Sequence, residues 1–260
     1  MIEKHKNTFA QLLEIMDRLR AECPWDKEQT LESLRTLTIE ETYELSSAII
    51  ENDLQEIKKE LGDLLLHVVF YAKIGSEKNA FDISDVIESI NEKLVYRHPH
   101  IFGDTKVENE QEVLENWEKL KLKEKGGNKT VLEGVPKSLP ALIKAYRIQD
   151  KVRGVGFDWD EREQVWDKVN EEMNELKHEL KIDPKSKEAE LEFGDLFFSL
   201  INAARLYGIN PENALERTNL KFIKRFNYLE SKTLKQGIDL KAMPLVEMEK
   251  IWQEAKKTEG

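Results

Sequence analysis

The sequence predicts an all-α protein made of two tandem, duplicated helical bundles, and three observations carry that expectation. Apolar residues recur at helical spacing in stretches rich in Leu, Glu and Lys, with few β-branched alternations. The 260 residues are 40% hydrophobic and 35% charged, a balance that suits small cores with wide solvated faces better than a buried parallel sheet. The third observation is order: a Trp-Asp turn, a Glu-Glu-x-x-Glu helix and a Glu-x-Gly-Asp helix occur once in each half.

The first helix is expected from Thr8 to about Ala21, where Phe9, Leu12, Leu13, Ile15, Met16 and Leu19 form one apolar face. Cys23-Pro24-Trp25-Asp26 stops it, because a residue before proline is steered away from helix. Thr30 is placed to cap the next helix, which carries Glu40, Glu41 and Glu44 and runs to Asn52-Asp53. A helix from about Leu54 to Lys73 follows with Glu60 and Asp63, and another from about Ser84 to Tyr96. Arg97-His98-Pro99-His100-Ile101-Phe102-Gly103-Asp104 reads as a loop from its Pro and Gly, and a charged helix is expected over residues 110–125.

Gly126-Gly127-Asn128, Gly134-Val135-Pro136 and Leu139-Pro140 punctuate the chain, which gives a first domain over 1–125, a linker over 126–140 and a second domain over 141–260. In the second domain a helix over Ala141–Arg153 leads through the Gly154–Trp159 turn to the helix with Glu171, Glu172 and Glu175. Asp183-Pro184-Lys185 separates it from the helix with Glu192 and Asp195. Asn210 or its neighbour is placed to cap the helix bearing Lys221 and Arg225, and a last helix holds Met248 and Trp252.

Charge and composition exclude several classes. A formal net charge of −11 argues against a duplex nucleic-acid partner, which calls for a basic surface. Cys23 is the single cysteine, so no intramolecular disulfide or cysteine-based zinc site is available. No apolar signal core or run of about twenty apolar residues is present, so the expectation is a soluble cytoplasmic protein without a membrane partner.

The duplicated acids carry the chemistry. On a helix Glu171, Glu172 and Glu175 fall within about one 100° arc, and Glu192 and Asp195 share a face of the next helix. Facing carboxylates repel and are costly to desolvate, so a hard cation held by oxygens, Mg²⁺ or Mn²⁺, is the expected companion, acting on a phosphorylated substrate. Glu44 precedes Glu60 by sixteen residues, and Glu175 precedes Glu192 by seventeen. Such duplication weighs against a merely solvated acidic face. Gly62 and Gly194 each cost a helix about 1 kcal/mol relative to Ala, and their recurrence points to close helix approach beside the acids. Lys221 and Arg225, four apart on one helix, suit phosphates, and Trp252 suits stacking or core packing about equally. Glu175 with His178 forms one Glu-x-x-His, as in di-iron bundles, but Ser47 stands at the matching place in the first half. His67 is likewise unmatched, with Ser199 in its place, and both histidines are expected to be ordinary surface or core residues.

Taken together, these motifs resemble the two-domain form of the MazG family of nucleoside triphosphate pyrophosphohydrolases over nearly the whole chain. The carriers are Cys23-Pro24-Trp25-Asp26, the two acid sets, Arg97-His98-Pro99-His100-x-Phe102-Gly103-Asp104, Gly134-Val135-Pro136-x-x-Leu139-Pro140-Ala141 and Gly156-Phe157-Asp158-Trp159. The resemblance implies bundles completed by homodimerisation, and Mg²⁺-dependent cleavage of nucleoside triphosphates between the α and β phosphates to monophosphate and pyrophosphate. It implies metal ligands at Glu172, Glu175, Glu192 and Asp195, with Glu171 orienting water and Lys221, Arg225 and Trp252 contacting nucleotide. In the first half it implies ligands at Glu41, Glu44, Glu60 and Asp63, with Glu40 as the water-orienting neighbour and Arg97 and Lys121 contacting phosphate. Many relatives carry two basic residues before the His-Pro-His, and here Tyr96 takes the first place, which favours the second site. The rival reading is a non-catalytic helical protein that binds nucleotides or partners.

Overall fold

Helix starts are written into the side chains. Thr30 accepts a hydrogen bond from the Ser33 amide at 3.1 Å while Ser33 Oγ accepts from the Thr30 amide at 2.9 Å, a reciprocal capping box. Asp53 caps the following helix by accepting from Gln55 and Glu56, Ser186 accepts from Ala189, and Asn210 accepts from Asn213 at 3.0 Å as expected.

The computed structural model describes residues 2–109, 112–113, 116–117, 120–121, 130–235 and 237–257. Among these no residue is in a strand. The chain divides into two compact units, Met1–Glu110 and Gln111–Gly260. Residues 122–129, including Gly126-Gly127-Asn128 of the expected linker, lie outside the described residues. Of the helix expected over 110–125, Glu112, Val113, Asn116, Trp117, Leu120 and Lys121 are described, all helical.

The first unit comprises α1 (Ile2–Glu22), α2 (Pro24–Glu28), α3 (Leu31–Glu51), α4 (Leu54–Glu77), α5 (Ile83–Arg97) and α6 (Pro99–Phe102). The stretch from Arg97 to Asp104, expected as a loop, contains one helical turn, α6. Proline at a first helical position costs nothing there, because that amide has no intrahelical partner. α3 and α4 form the main antiparallel pair, and Met16, Leu34, Val69, Phe70 and Ile74 make the core. Arg20 fastens α1 to its surroundings through Glu77, at 2.9 and 2.6 Å, and through the carbonyls of Asp26, Lys27 and Gln29.

The second unit comprises α7 (Ala141–Arg153), α8 (Val165–Ile182), α9 (Lys187–Leu206), α10 (Pro211–Lys235) and α11 (Leu245–Lys257), with 3₁₀ turns at Arg162–Gln164 and Leu240–Ala242. The pair α8–α9 corresponds to α3–α4, and Val165, Val169, Leu176, Leu196 and Ala203 form its core. Burial of these apolar side chains, about 1.5–3 kcal/mol for each large one, holds the acid-bearing helices side by side.

The glycines beside the acids correct one expectation. A Cβ built on Gly62 or Gly194 meets nothing within 4 Å, so neither marks close helix approach inside the chain. Each sits on an exposed helix face instead, beside the apolar Leu61 and Phe193.

Candidate metal and nucleotide site

Each unit gathers three of the predicted acids. Glu41 from α3 meets Glu60 and Asp63 from α4, and Glu172 from α8 meets Glu192 and Asp195 from α9, with ligand atoms within 4.8 Å of one another in each set. The spacing explains the convergence: Glu60 and Asp63, or Glu192 and Asp195, lie three apart on one helix face, and the antiparallel partner presents its glutamate across the gap. Glu60 is 2% exposed and Glu172 is 6% exposed, so core packing carries charge into poorly solvated positions.

The electrostatics record the crowding. Burial pushes the Glu41 carboxyl upward, and repulsion by Asp63, Glu44 and Glu60 adds to it. Burial likewise pushes Glu192 upward, with Glu175, Asp195 and Glu172 reinforcing the shift. Glu60 Oε2 and Glu192 Oε2 are buried with no hydrogen-bond partner. An oxygen-only donor set with orphaned buried oxygens fits a hard divalent cation. Glu44 and Glu175 stand outside the converging sets, though both add to the repulsion felt by their neighbours.

Two lysines not singled out from the sequence serve as internal counter-charges. Lys59 Nζ lies 2.8 Å from Glu60 and 3.4 Å from Glu56. Lys168 Nζ lies 2.6 Å from Glu172 and 2.9 Å from Glu171, and these hydrogen bonds push its ammonium pKa up. Lys168 was legible in principle, since it sits three and four residues before the two glutamates on one helix. Lys59 is sequence-adjacent to its acid and carries no such periodic signal.

Other predicted residues are placed as follows. Exposed Glu40 and Glu44 line an open cleft with Lys59 and Glu60. Arg97 is half-buried at the end of α5, and Lys121 falls in the residue range of the second unit with its ammonium 4.0 Å from the Trp117 ring centroid. Lys221 is exposed on α10, while Arg225 lies 5.9 Å from the Trp252 ring, which packs 4.9 Å from Phe222. None of these three lines the cavity next to the second acid set. His67 is buried in α4, His178 is exposed on α8, and neither joins an acid cluster.

That cavity, about 570 Å³, opens beside Glu172, Asp195 and Lys168 and is walled by Ile148, Val152, Trp159 and Phe198. The turn carrying Trp159 passes through Gly156 at φ +85, a conformation L side chains rarely adopt. It is pinned by Arg205, whose Nη1 donates to Asp158 Oδ2 at 2.9 Å, whose Nη2 donates to Asp158 Oδ1, and whose Nε donates to Asn202 at 3.0 Å.

Fold and clusters together define a tandem all-α bundle protein with a carboxylate site in each unit. The model of the MazG nucleotide pyrophosphohydrolase domain matches residues 29–102. The chain is 42% identical over 261 aligned positions, 97% of this chain and 98% of the other, to a nucleoside triphosphate pyrophosphohydrolase of Escherichia coli strain K12. It is 45% identical, over 95% of each chain, to the nucleoside triphosphate pyrophosphohydrolase/pyrophosphatase MazG of Thermotoga maritima. A third relative, the uncharacterized protein YabN of Bacillus subtilis, is 47% identical over 96% of this chain and 52% of its own length. The chain belongs to the MazG nucleotide pyrophosphohydrolase family.

Proposed function

We propose that this protein is a nucleoside triphosphate pyrophosphohydrolase that uses Mg²⁺, or Mn²⁺ in its place, to cleave between the α and β phosphates. The observation that carries the reading is the twofold convergence of three carboxylates from two consecutive helices, with buried oxygens left unpartnered. The names of the relatives support the substrate class.

Glu172, Glu192 and Asp195 would hold the cation, with Glu175 completing the set; Glu41, Glu60, Asp63 and Glu44 are their counterparts. A divalent ion there supplies charge neutralisation for the triphosphate and polarises the bond to be broken. Glu171, exposed, adjacent to the ligand Glu172 and paired with Lys168, would orient the attacking water and take its proton. Glu40 is its counterpart in the first unit. Lys168 exchanges its carboxylate partners for phosphate oxygens as substrate enters. The family resemblance assigns nucleotide contact to Lys221, Arg225 and Trp252, none of which lines the cavity, and phosphate contact to Arg97 in the first unit and to Lys121, which falls in the residue range of the second.

A homodimer belongs to the same reading. Ala141, Leu142, Gly194, Phe197, Leu200 and Leu215 line an apolar depression of about 660 Å³, with Phe197 59% exposed. Exposed aromatic surface of that kind marks an interface. No helix among the described residues is long and apolar enough to cross a membrane.

The test is product analysis. Purified protein with Mg²⁺ and a panel of nucleoside triphosphates should release pyrophosphate and monophosphate in equal amounts. Orthophosphate and diphosphate as products would overturn the cleavage position, and turnover undiminished by chelation would overturn the metal. Sedimentation at micromolar concentration should give twice the chain mass.

A further inference from the structure

Each acid set holds a lysine of the chain's own against one of its buried glutamates. Lys168 Nζ lies 2.6 Å from Glu172 and 2.9 Å from Glu171, and Lys59 Nζ lies 2.8 Å from Glu60. The side chains of Glu172 and Glu60 are 8% and 3% exposed, whereas those of Lys168 and Lys59 are 39% and 60% exposed. The carboxylates are therefore fixed by packing and the ammoniums are not. A four-carbon stem that opens to solvent can swing its charge away without disturbing the core.

The two lysines do not come from the repeat. Four residues before Glu172 stands Lys168, but four before Glu41 stands Leu37, packed against the first core. One residue before Glu60 stands Lys59, but one before Glu192 stands the exposed Leu191. The first unit thus draws its ammonium from α4, the Glu-x-Gly-Asp helix, and the second from α8, the Glu-Glu-x-x-Glu helix. The same contact is reached from opposite helices of the pair, and duplication of one position does not account for it.

We propose that Lys168 and Lys59 compete with the divalent ion for these glutamates, so that each site rests self-blocked and takes up metal only as its ammonium leaves. The inference rests on the metal reading above and deepens it. An ammonium and a divalent ion on one poorly solvated carboxylate repel each other, and little water is there to screen them. Removing the lysine charge frees the glutamate and ends the repulsion, and both effects favour the ion. In turnover the release comes from the triphosphate, whose oxygens draw Lys168 off Glu172 and Glu171.

The experiment titrates Mn²⁺ into chelator-stripped, nucleotide-free protein and follows bound ion by electron paramagnetic resonance, with Glu192→Gln marking which isotherm belongs to the second unit. Lys168→Met keeps the stem and removes the charge, and it should tighten the second site by about tenfold, the scale of a partly buried ion pair released. Lys59→Met should tighten the first by about threefold, because Lys59 is the more exposed. Lys168→Arg, which keeps the charge, should stay near wild type. Damage to a fold weakens metal binding, so a tighter site is a result that a merely structural lysine would not give. Should Lys168→Met fail to fold, Lys59→Met decides alone. Unchanged or weaker Mn²⁺ binding in the folded variants overturns the inference and leaves the pyrophosphohydrolase reading intact. Equal tightening in Lys168→Arg and Lys168→Met also overturns it, because charge is then not the cause. Ion bound by neither wild type nor any variant overturns the metal reading itself, and this inference with it.

Discussion

Replacing Arg205 by Met tests how the wall of the cavity is held. The guanidinium is 4% exposed and Asp158 is 19% exposed at the side chain, so the pair is largely out of water. Removing one member of a fully buried pair costs about 3–5 kcal/mol, because the survivor is left charged and unpaired. Asp158 keeps some relief: Arg153 Nε remains 3.9 Å away and the Trp159 amide still donates to it. The expected loss is therefore about 2–3 kcal/mol, or roughly 5–10 °C in the transition of a unit of this size. Burial pushes the Asp158 carboxyl up, but hydrogen bonds from Arg205 and the Trp159 amide outweigh it and hold the group below its ordinary value. A depressed carboxylate stabilises the fold above its unfolded pKa of about 3.9 and loses that contribution as pH falls through the lower folded value. Arg205→Met should accordingly flatten the acid limb of stability below about pH 4. Thermal unfolding by circular dichroism at pH 7 and pH 3 is the assay. A shift under about 2 °C at pH 7, or Asp158→Asn and Arg205→Met adding without coupling, would refute the account of the pair as the clasp of this turn.

Other perturbations separate the two halves. Glu172→Gln should lower turnover by about 100-fold or more while circular dichroism is unchanged, since it removes one ligand charge from the proposed second site; if turnover stays high and Glu41→Gln abolishes it, the first unit carries the chemistry. His67 is pushed down by burial, against the pull of Asp63, so unfolding takes up a proton below about pH 6.5 and stability should decline from there toward pH 5. His67→Gln should remove that slope in urea titrations, and an unchanged slope would place its origin elsewhere. Gly75→Ala, which elsewhere in a helix would gain about 1 kcal/mol, should instead lose about 1–3 kcal/mol. Its Cβ would lie 2.7 Å from the Phe81 ring and 2.8 Å from the Phe81 carbonyl, and a raised melting temperature would contradict that.

Much of the architecture was readable because local and global signals agree. Thr30, Asn210 and the Ala141–Arg153 helix fall where capping chemistry and periodicity put them. The duplicated acids were found through spacing alone, because a three-residue step on a helix guarantees a shared face. What escaped depends on contacts between elements distant in sequence. Gln149 has no motif, and its side-chain amide is placed by the Phe198 carbonyl, 49 residues later. Arg205 looks like a helix-end cation until it reaches back 47 residues to Asp158. Gly62 and Gly194 misled for a related reason: a helix glycine advertises missing volume, and the sequence does not say whether anything fills it. The loop expected at Arg97–Asp104 failed at α6, where a proline taken as a breaker served as a first helical residue.

Lys59 and Lys168 give the acid clusters a resting state. Facing carboxylates without a cation would push their helices apart, yet each set has a tethered ammonium within 2.8 Å of one of its buried glutamates. The repulsion is thereby muted from within the chain, and the helices need no ion to stay together. On the proposed metal-dependent reading, chelation should therefore silence the protein without unfolding it, and a circular dichroism spectrum that collapses on chelation would contradict that.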